Sequence, residues 1–207
     1  GSGYEEKSGL EDKSILEGLK KLQDEISSLP HPVARALAVK YVLENERLYI
    51  NEHDYFVGFY SLNRLADSVT FDTWNQEVQT KRNPKLRELD QNFNESGAVA
   101  IWADYDHVVP DWDSLMKLGF PGILERAEKY KTQRMGMGVL TNEQIAYFEG
   151  IRIEYTAILN VIDRMYWLAL AKKNEKSSRI AVCLKHLHDG APTNIYEAMQ
   201  LIYLFFI

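Results

Sequence analysis

The chain has one cysteine, six prolines, no run of more than two consecutive basic residues, and no apolar run near the roughly 20 residues that a membrane-spanning helix needs. Each scarcity removes a class of protein. Cys183 alone closes no internal disulfide and supplies no cysteine-based zinc cage, so stability has to come from packing, and a reducing cytoplasm is the expected compartment. With 24 Lys+Arg against 30 Asp+Glu, the formal net charge of -6 offers no basic footprint for a phosphate backbone or an anionic membrane surface. Neither nucleic acid nor membrane is therefore an expected partner. There is no G-x-S-x-G elbow, no G-x-x-x-x-G-K-[ST] phosphate loop, no H-E-x-x-H and no C-x-x-C. Gly1 to Lys21 lacks the apolar stretch of a secretory signal, and Gly1-Ser2-Gly3 reads as a cloning scar, set apart from residues 4–207.

What is present is mostly helical periodicity. Ile15, Leu16, Leu19, Leu22 and Ile26 recur at spacings of three and four after Ser14, in a helix that Pro30 and Pro32 end. Pro32 suits an early position of a second helix through Val33, Leu37, Tyr41 and Val42. Leu48 to Ser61, rich in β-branched and aromatic residues, is expected to be extended. Phe71 to Leu89 reads as a helix broken near Asn83-Pro84. Asp111 is placed to cap a helix carrying Trp112, Leu115, Met116 and Leu118; Gly119-Phe120-Pro121-Gly122 interrupts it, Ile123 to Tyr130 resumes it, and Met135 to Leu140 is a connection. Thr141 and Gln144 form a capping box for the expected central helix, whose face is Ile145, Phe148, Ile151, Tyr155, Ile158, Leu159, Ile162, Tyr166 and Ala169. Ser177 to Leu187 makes another helix with Gly190 near its C-cap, and Asn194 with Glu197 opens a last one.

That last helix, Ile195 to Ile207, ends in seven residues without a charge. A helix apolar on every side is expected to be buried on every side. Two readings are open. Either the helix docks deep in its own core, or the chain is truncated and the missing part is what it packs against; the tendency of termini to lie at the surface favours truncation.

Candidate chemistry is sparse. Asp104 and Asp106 begin like a calcium loop, but Val109 occupies the position of the sharp-turn glycine and Leu115 that of the bidentate glutamate. His186 and His188, at i and i+2, do not face each other on a helix and suit a helix C-terminus better than a metal. Cys183 falls on an apolar face and reads as a buried, inert thiol. The loaded stretch is Gly97 to Asp113, GAVAIWADYDHVVPDWD, where His107 lies among carboxylates and the indoles of Trp102 and Trp112. Such a setting raises an imidazole pKa and lines a pocket, or else supplies a hydrogen bond at the start of a helix; the residues alone leave both readings open.

At this loop the sequence resembles a known family. Asp106-His107-Val108-Val109-Pro110-Asp111-Trp112, with Leu115 and Leu118-Gly119-Phe120, is similar to the "GHxxPDY/W…VL..G" stretch of glycyl radical enzymes of the pyruvate formate-lyase type. More specifically it is similar to the dehydratase and C–N or C–C lyase branch, with glycerol and diol dehydratases, choline trimethylamine-lyase and hydroxyproline dehydratase. Gly190-Ala191-Pro192-Thr193 leading into Tyr196-Glu197-Ala198-Met199-Gln200-Leu201 resembles the "P..PxTFxEALQ" helix start, and Glu46-Arg47-Leu48-Tyr49-Ile50 through Val57-Gly58 resembles "…ELIVG…". The likeness is collinear from about Pro32 to Ile207.

The resemblance implies a mainly α segment, the N-terminal helical part of a ten-stranded α/β-barrel enzyme, truncated at its C-terminus. It implies radical elimination or bond cleavage on a small polar metabolite by the complete protein, a homodimer in an anaerobic cytoplasm activated by a radical S-adenosylmethionine enzyme. The thiyl cysteine and radical glycine of the family have no counterpart here, so no catalytic residue, metal or cofactor is expected in this segment. Position by position, His107 falls on a substrate-contacting histidine, with Asp106, Trp102 and Val99 as further pocket residues. Val99 departs from the polar or aromatic residue usual there, and Asp106 replaces the usual glycine. Asn194 to Ile207 is expected to pack against the remainder of the barrel. The rival reading is a stand-alone helical binding or scaffolding domain whose LIYLFFI end docks on a partner; a small metal-dependent enzyme would need ligands that the sequence does not offer.

Overall fold

The computed structural model describes residues 2–51, 53–57, 84–97 and 110–206. They form seven helices: α1 (Ser2–Ile26), α2 (His31–Asn45), α3 (Pro84–Ser96), α4 (Trp112–Gly136), α5 (Asn142–Ala171), α6 (Glu175–Asp189) and α7 (Ile195–Phe206). The mainly α expectation holds. Among the described residues there is no β-strand, and no helix is long and apolar enough to cross a membrane.

α5 is the centre of the packing, flanked by α2, α6 and α4. Its start is fixed locally, because the Thr141 hydroxyl accepts from the Gln144 N–H at 3.2 Å while the Gln144 side chain accepts from the Thr141 N–H at 3.1 Å. The face it buries deepest differs in part from the aromatic stripe read from the sequence. Ala146, Gly150, Ala157, Val161, Ile162, Met165 and Ala169 are buried, whereas Tyr155, Ile158, Leu159 and Tyr166 flank them half-covered. The reason is distance: a Cβ on Gly150 would lie 2.7 Å from the Pro32 carbonyl oxygen, so only a glycine lets α2 come this close. Fully buried Ile162, Met165, Leu184 and Leu187 then contribute about 1.5–3 kcal/mol each through area removed from water.

α1 buries Ile15, Leu19 and Ile26 as the spacing predicts, although the helix begins at Ser2, well before the expected start at Ser14. Pro30 accepts the first bonds of α2 from Val33 and Ala34, and Pro32 sits in its first turn, where no N–H is needed. The far end of α2 is closed from α5 by Arg164, whose guanidinium donates to the carbonyls of Leu43 and Glu46. Pro84 opens α3; the part of the expected helix before it lies outside the described residues. α4 runs on to Gly136, past the expected end at Tyr130, with its interruption present as a kink at Gly119.

Within Leu48 to Ser61 the described residues are non-helical, with a β-bridge at Tyr49 and turns and bends over 53–57 but no strand. What holds Val57 is a side chain. Fully buried Gln200 of α7 accepts from the Val57 N–H and donates to its carbonyl, both at 2.9 Å, doing for one residue what a neighbouring strand would do. Beside it the Tyr196 hydroxyl donates to the Tyr55 carbonyl, and Phe56 stacks on Tyr196 at 5.3 Å.

Of the two readings of α7, the one in which it docks deep in its own core does not hold. Glu197, Gln200 and Leu201 are buried, but Ile195 is 77% and Met199 49% exposed, with Ile202, Tyr203 and Phe205 also outward. One face is docked and the other is bare. Gln200→Leu keeps the volume but orphans a buried N–H and C=O, and urea denaturation should show a loss of about 2–4 kcal/mol. A change below about 0.5 kcal/mol would mean that Val57 is held by something else.

Candidate functional site

Val99, Trp102, Asp106 and His107 lie outside the described residues, so the structure speaks to the frame that carries their loop. At one end Gly97, with φ +65°, takes the left-handed conformation that closes a helix C-terminus. At the other, the Asp111 carboxylate accepts from the Ser114 N–H at 3.1 Å and starts α4. That bond, first from the Ser114 side chain and backbone, holds the Asp111 carboxyl below the usual range.

Two contacts then fix α4 on the α6–α7 corner. The Trp112 ring meets Phe205 of α7 with centroids 5.7 Å apart. About two turns later the chain kinks at Gly119 (φ +62°, ψ -178°), where a Cβ would stand 2.5 Å from the Gly190 carbonyl oxygen and 3.1 Å from the Ala191 Cα. Both the dihedral and the space demand glycine there. Leu118-Gly119-Phe120 and Gly190-Ala191 were read separately in the sequence; the fold brings them into backbone contact.

The corner itself is held by Glu197. Its carboxylate accepts from the Thr193 N–H at 2.7 Å and the Thr193 hydroxyl at 2.9 Å and meets His186 Nδ1 at 2.8 Å, while Asn194 Oδ1 accepts from the Glu197 N–H at 3.0 Å. This is the expected Asn194/Glu197 cap with a shift: the glutamate reaches back to Thr193, one residue before the cap. Burial alone would raise the Glu197 pKa; the Thr193 N–H, His186, the Thr193 hydroxyl and Asn194 reverse that and hold it at about 2. A carboxylate so saturated ties α6 to α7 and is a poor general base at neutral pH.

The other candidates resolve in the same way. His186 and His188 lie in the last turn of α6 as expected, yet each pairs with a carboxylate, His188 with Asp189 at 2.7 Å. No cluster of three or more His, Cys, Asp or Glu suited to a metal occurs among the described residues. Cys183 is buried, and desolvation, with Glu197 nearby, pushes its thiol up to about 12, so it is inert at neutral pH. An open cleft of about 900 Å³ lies here between Tyr55, Lys176, Arg179, Cys183 and Tyr196. Its cations are engaged: Lys176 sits 4.4 Å from the Tyr55 ring centroid and Arg179 pairs with Glu175 at 2.7 Å. Sequence reasoning missed the pairing of Gln200 with Val57, which are too distant in the chain for any local pattern to reveal it.

A family model described as pyruvate formate lyase-like matches residues 67–207. Among solved structures the chain is similar to a glycyl radical enzyme from Archaeoglobus fulgidus, with a TM-score of 0.74 and 19% identity over 95% of this chain and 31% of that one. It is also similar to the glycerol-bound form of the B12-independent glycerol dehydratase from Clostridium butyricum, with a TM-score of 0.68 and 18% identity over 94% and 31% of the two chains. A structure concerned with 1,2-propanediol dehydration in Roseburia inulinivorans gives 0.68 and 17% over 92% and 29%. The chain thus spans less than a third of each. No curated protein matches.

Gly119→Ala should cost about 2–4 kcal/mol, since it adds steric overlap to a left-handed φ. Gly138 also has positive φ but nothing within 4 Å of its would-be Cβ, so Gly138→Ala should cost only about 1–2 kcal/mol. Equal losses in paired denaturation curves would remove the Gly190 contact from the account. Folding depresses the Glu197 pKa from an ordinary 4.5 to about 2, so its contribution is present above pH 4.5 and is lost as pH falls towards 2. Melting temperatures of Glu197→Gln should vary less across that window than those of the wild type; parallel profiles would show that the carboxylate does not stabilise the corner.

Proposed function

The chain belongs to the pyruvate formate lyase-like family, and from that premise we propose that it is the N-terminal helical part of a glycyl radical enzyme whose complete form eliminates from, or cleaves, a small polar metabolite. The observation that carries the reading is the Gly119–Gly190 contact, which packs together the two stretches that resemble the family's motifs. With Trp112 against Phe205, it sets where the loop from Gly97 to Pro110 rejoins the helices. On this reading His107 hydrogen-bonds a substrate hydroxyl or carboxylate from that loop, and Asp106, Trp102 and Val99 line the pocket. Valine at 99 donates no hydrogen bond, which favours a substrate less polar on that side.

The radical pair itself does not fit the residues described. Cys183, the sole thiol, is on the buried face of α6 with its pKa pushed up to about 12, and no step of the reaction is assigned to it. This segment then holds and orients, and is inactive by itself; hydrogen abstraction belongs to a longer protein in an anaerobic cytoplasm, a homodimer with a radical S-adenosylmethionine activating partner. The exposed face of α7, Ile195, Met199 and Ile202, supports packing of Asn194–Ile207 against the rest of the barrel. The same face supports the second reading, a stand-alone binding or scaffolding domain.

Anaerobic incubation of the purified chain with an activating enzyme, S-adenosylmethionine, reductant and glycerol or 1,2-propanediol should give no glycine-centred radical by electron paramagnetic resonance and no aldehyde. Either signal from this chain alone would overturn the assignment of inactivity. Ile202→Lys should reduce self-association in light scattering if the α7 face is a docking surface; a wild-type chain that stays monodisperse at high concentration favours the stand-alone domain.

A further inference from the structure

A second cleft, of about 650 Å³, opens where the start of α2, the second half of α4 and the first half of α5 meet, and the family reading makes no use of it. Its charge runs against that of the chain. The net charge is -6 overall, yet Arg35 of α2 and Arg126 of α4 line this one opening together with His31, against a single acid, Glu154 of α5. Arg126 is partly fixed in place: one of its five donors goes to the Ser114 hydroxyl at 2.9 Å. Burial is the main cause that raises the Glu154 pKa, opposed by the charge of Arg35.

The other wall is aromatic. Tyr130 and Tyr147 stay largely exposed although their rings are apolar, and Phe148 and Tyr155 continue the surface inward. Two guanidinium groups beside a set of rings, in a space of a few hundred Å³, suit one ligand chemistry, a flat molecule with an acidic group. We propose that the α2–α4–α5 cleft binds a small planar organic carboxylate, with the carboxylate on Arg35 and Arg126 and the flat body against the Tyr130, Tyr147 and Phe148 rings. Guanidinium recognises a carboxylate through paired donors, and the rings supply the apolar contact that inorganic phosphate lacks.

The test uses the chain as it is, with benzoate as the probe, phosphate and phenol as comparators, and calorimetry with amide NMR shifts as readouts. Benzoate should saturate, shift amides of all three helices and bind more tightly than either comparator. Arg35→Gln and Arg126→Gln should each weaken benzoate about tenfold, the loss expected of a charge-assisted hydrogen bond. Glu154→Gln should tighten it about threefold by removing an opposing charge. Arg126→Gln also loses the Ser114 bond, so Arg35→Gln and Glu154→Gln decide the matter if that variant unfolds. Lack of saturation by benzoate overturns the proposal, as does phosphate binding equally well with Tyr147→Ala leaving benzoate affinity unchanged.

Discussion

The close approach of α5 to α2 is the constraint on which the remaining helices depend. Large side chains along the inner face of α5 would hold α2 away; Ala146, Gly150 and Ala157 let the backbones approach until Pro32 lies over Gly150. Arg164 then reaches from α5 to the carbonyl end of α2, so the two helices share a cap as well as a seam. With α2 and α5 locked, α6 packs on another side of α5 through Ile180, Leu184 and Leu187, and α4 closes through Leu115 and Phe120. The aromatic residues displaced from the seam become the walls of the α2–α4–α5 cleft, so one choice of small residues shapes both core and surface.

The second dependency runs from that core to the loop. α6 places Gly190 at its end, Glu197 fastens the corner to α7, and the corner receives Gly119 of α4. The Gly119–Gly190 contact tolerates no added side-chain volume, because backbone meets backbone there. The start of α4 is therefore set by residues far along the chain. Gln200 does the same for the segment ending at Val57, substituting two amide bonds for a strand partner.

Much of this was legible because it is local. Thr141 with Gln144, Asp111 with Ser114, and Asn194 with Glu197 are caps within four residues, and the sequence places all three helix starts from them. The family resemblance was equally readable in residues 106–120 and 190–201. Long-range partners were not: nothing near Gly119 names Gly190, and nothing near Val57 names Gln200. The central stripe was read too generously, because periodicity marks which side of α5 faces inward and is blind to how near α2 comes. Apolar composition likewise suggested an α7 buried all round, whereas burial depends on what packs against each side. The four loop residues drawn from the resemblance lie outside the described residues.

The central claim is that this helical frame serves a larger catalytic chain, and the sequence of the source gene beyond the codon for Ile207 tests it most directly. The account predicts an open frame that continues to a Cys-x-Glu segment and a later glycyl loop. A stop codon immediately after Ile207 would contradict it and leave the exposed face of α7 as the docking surface of a stand-alone domain.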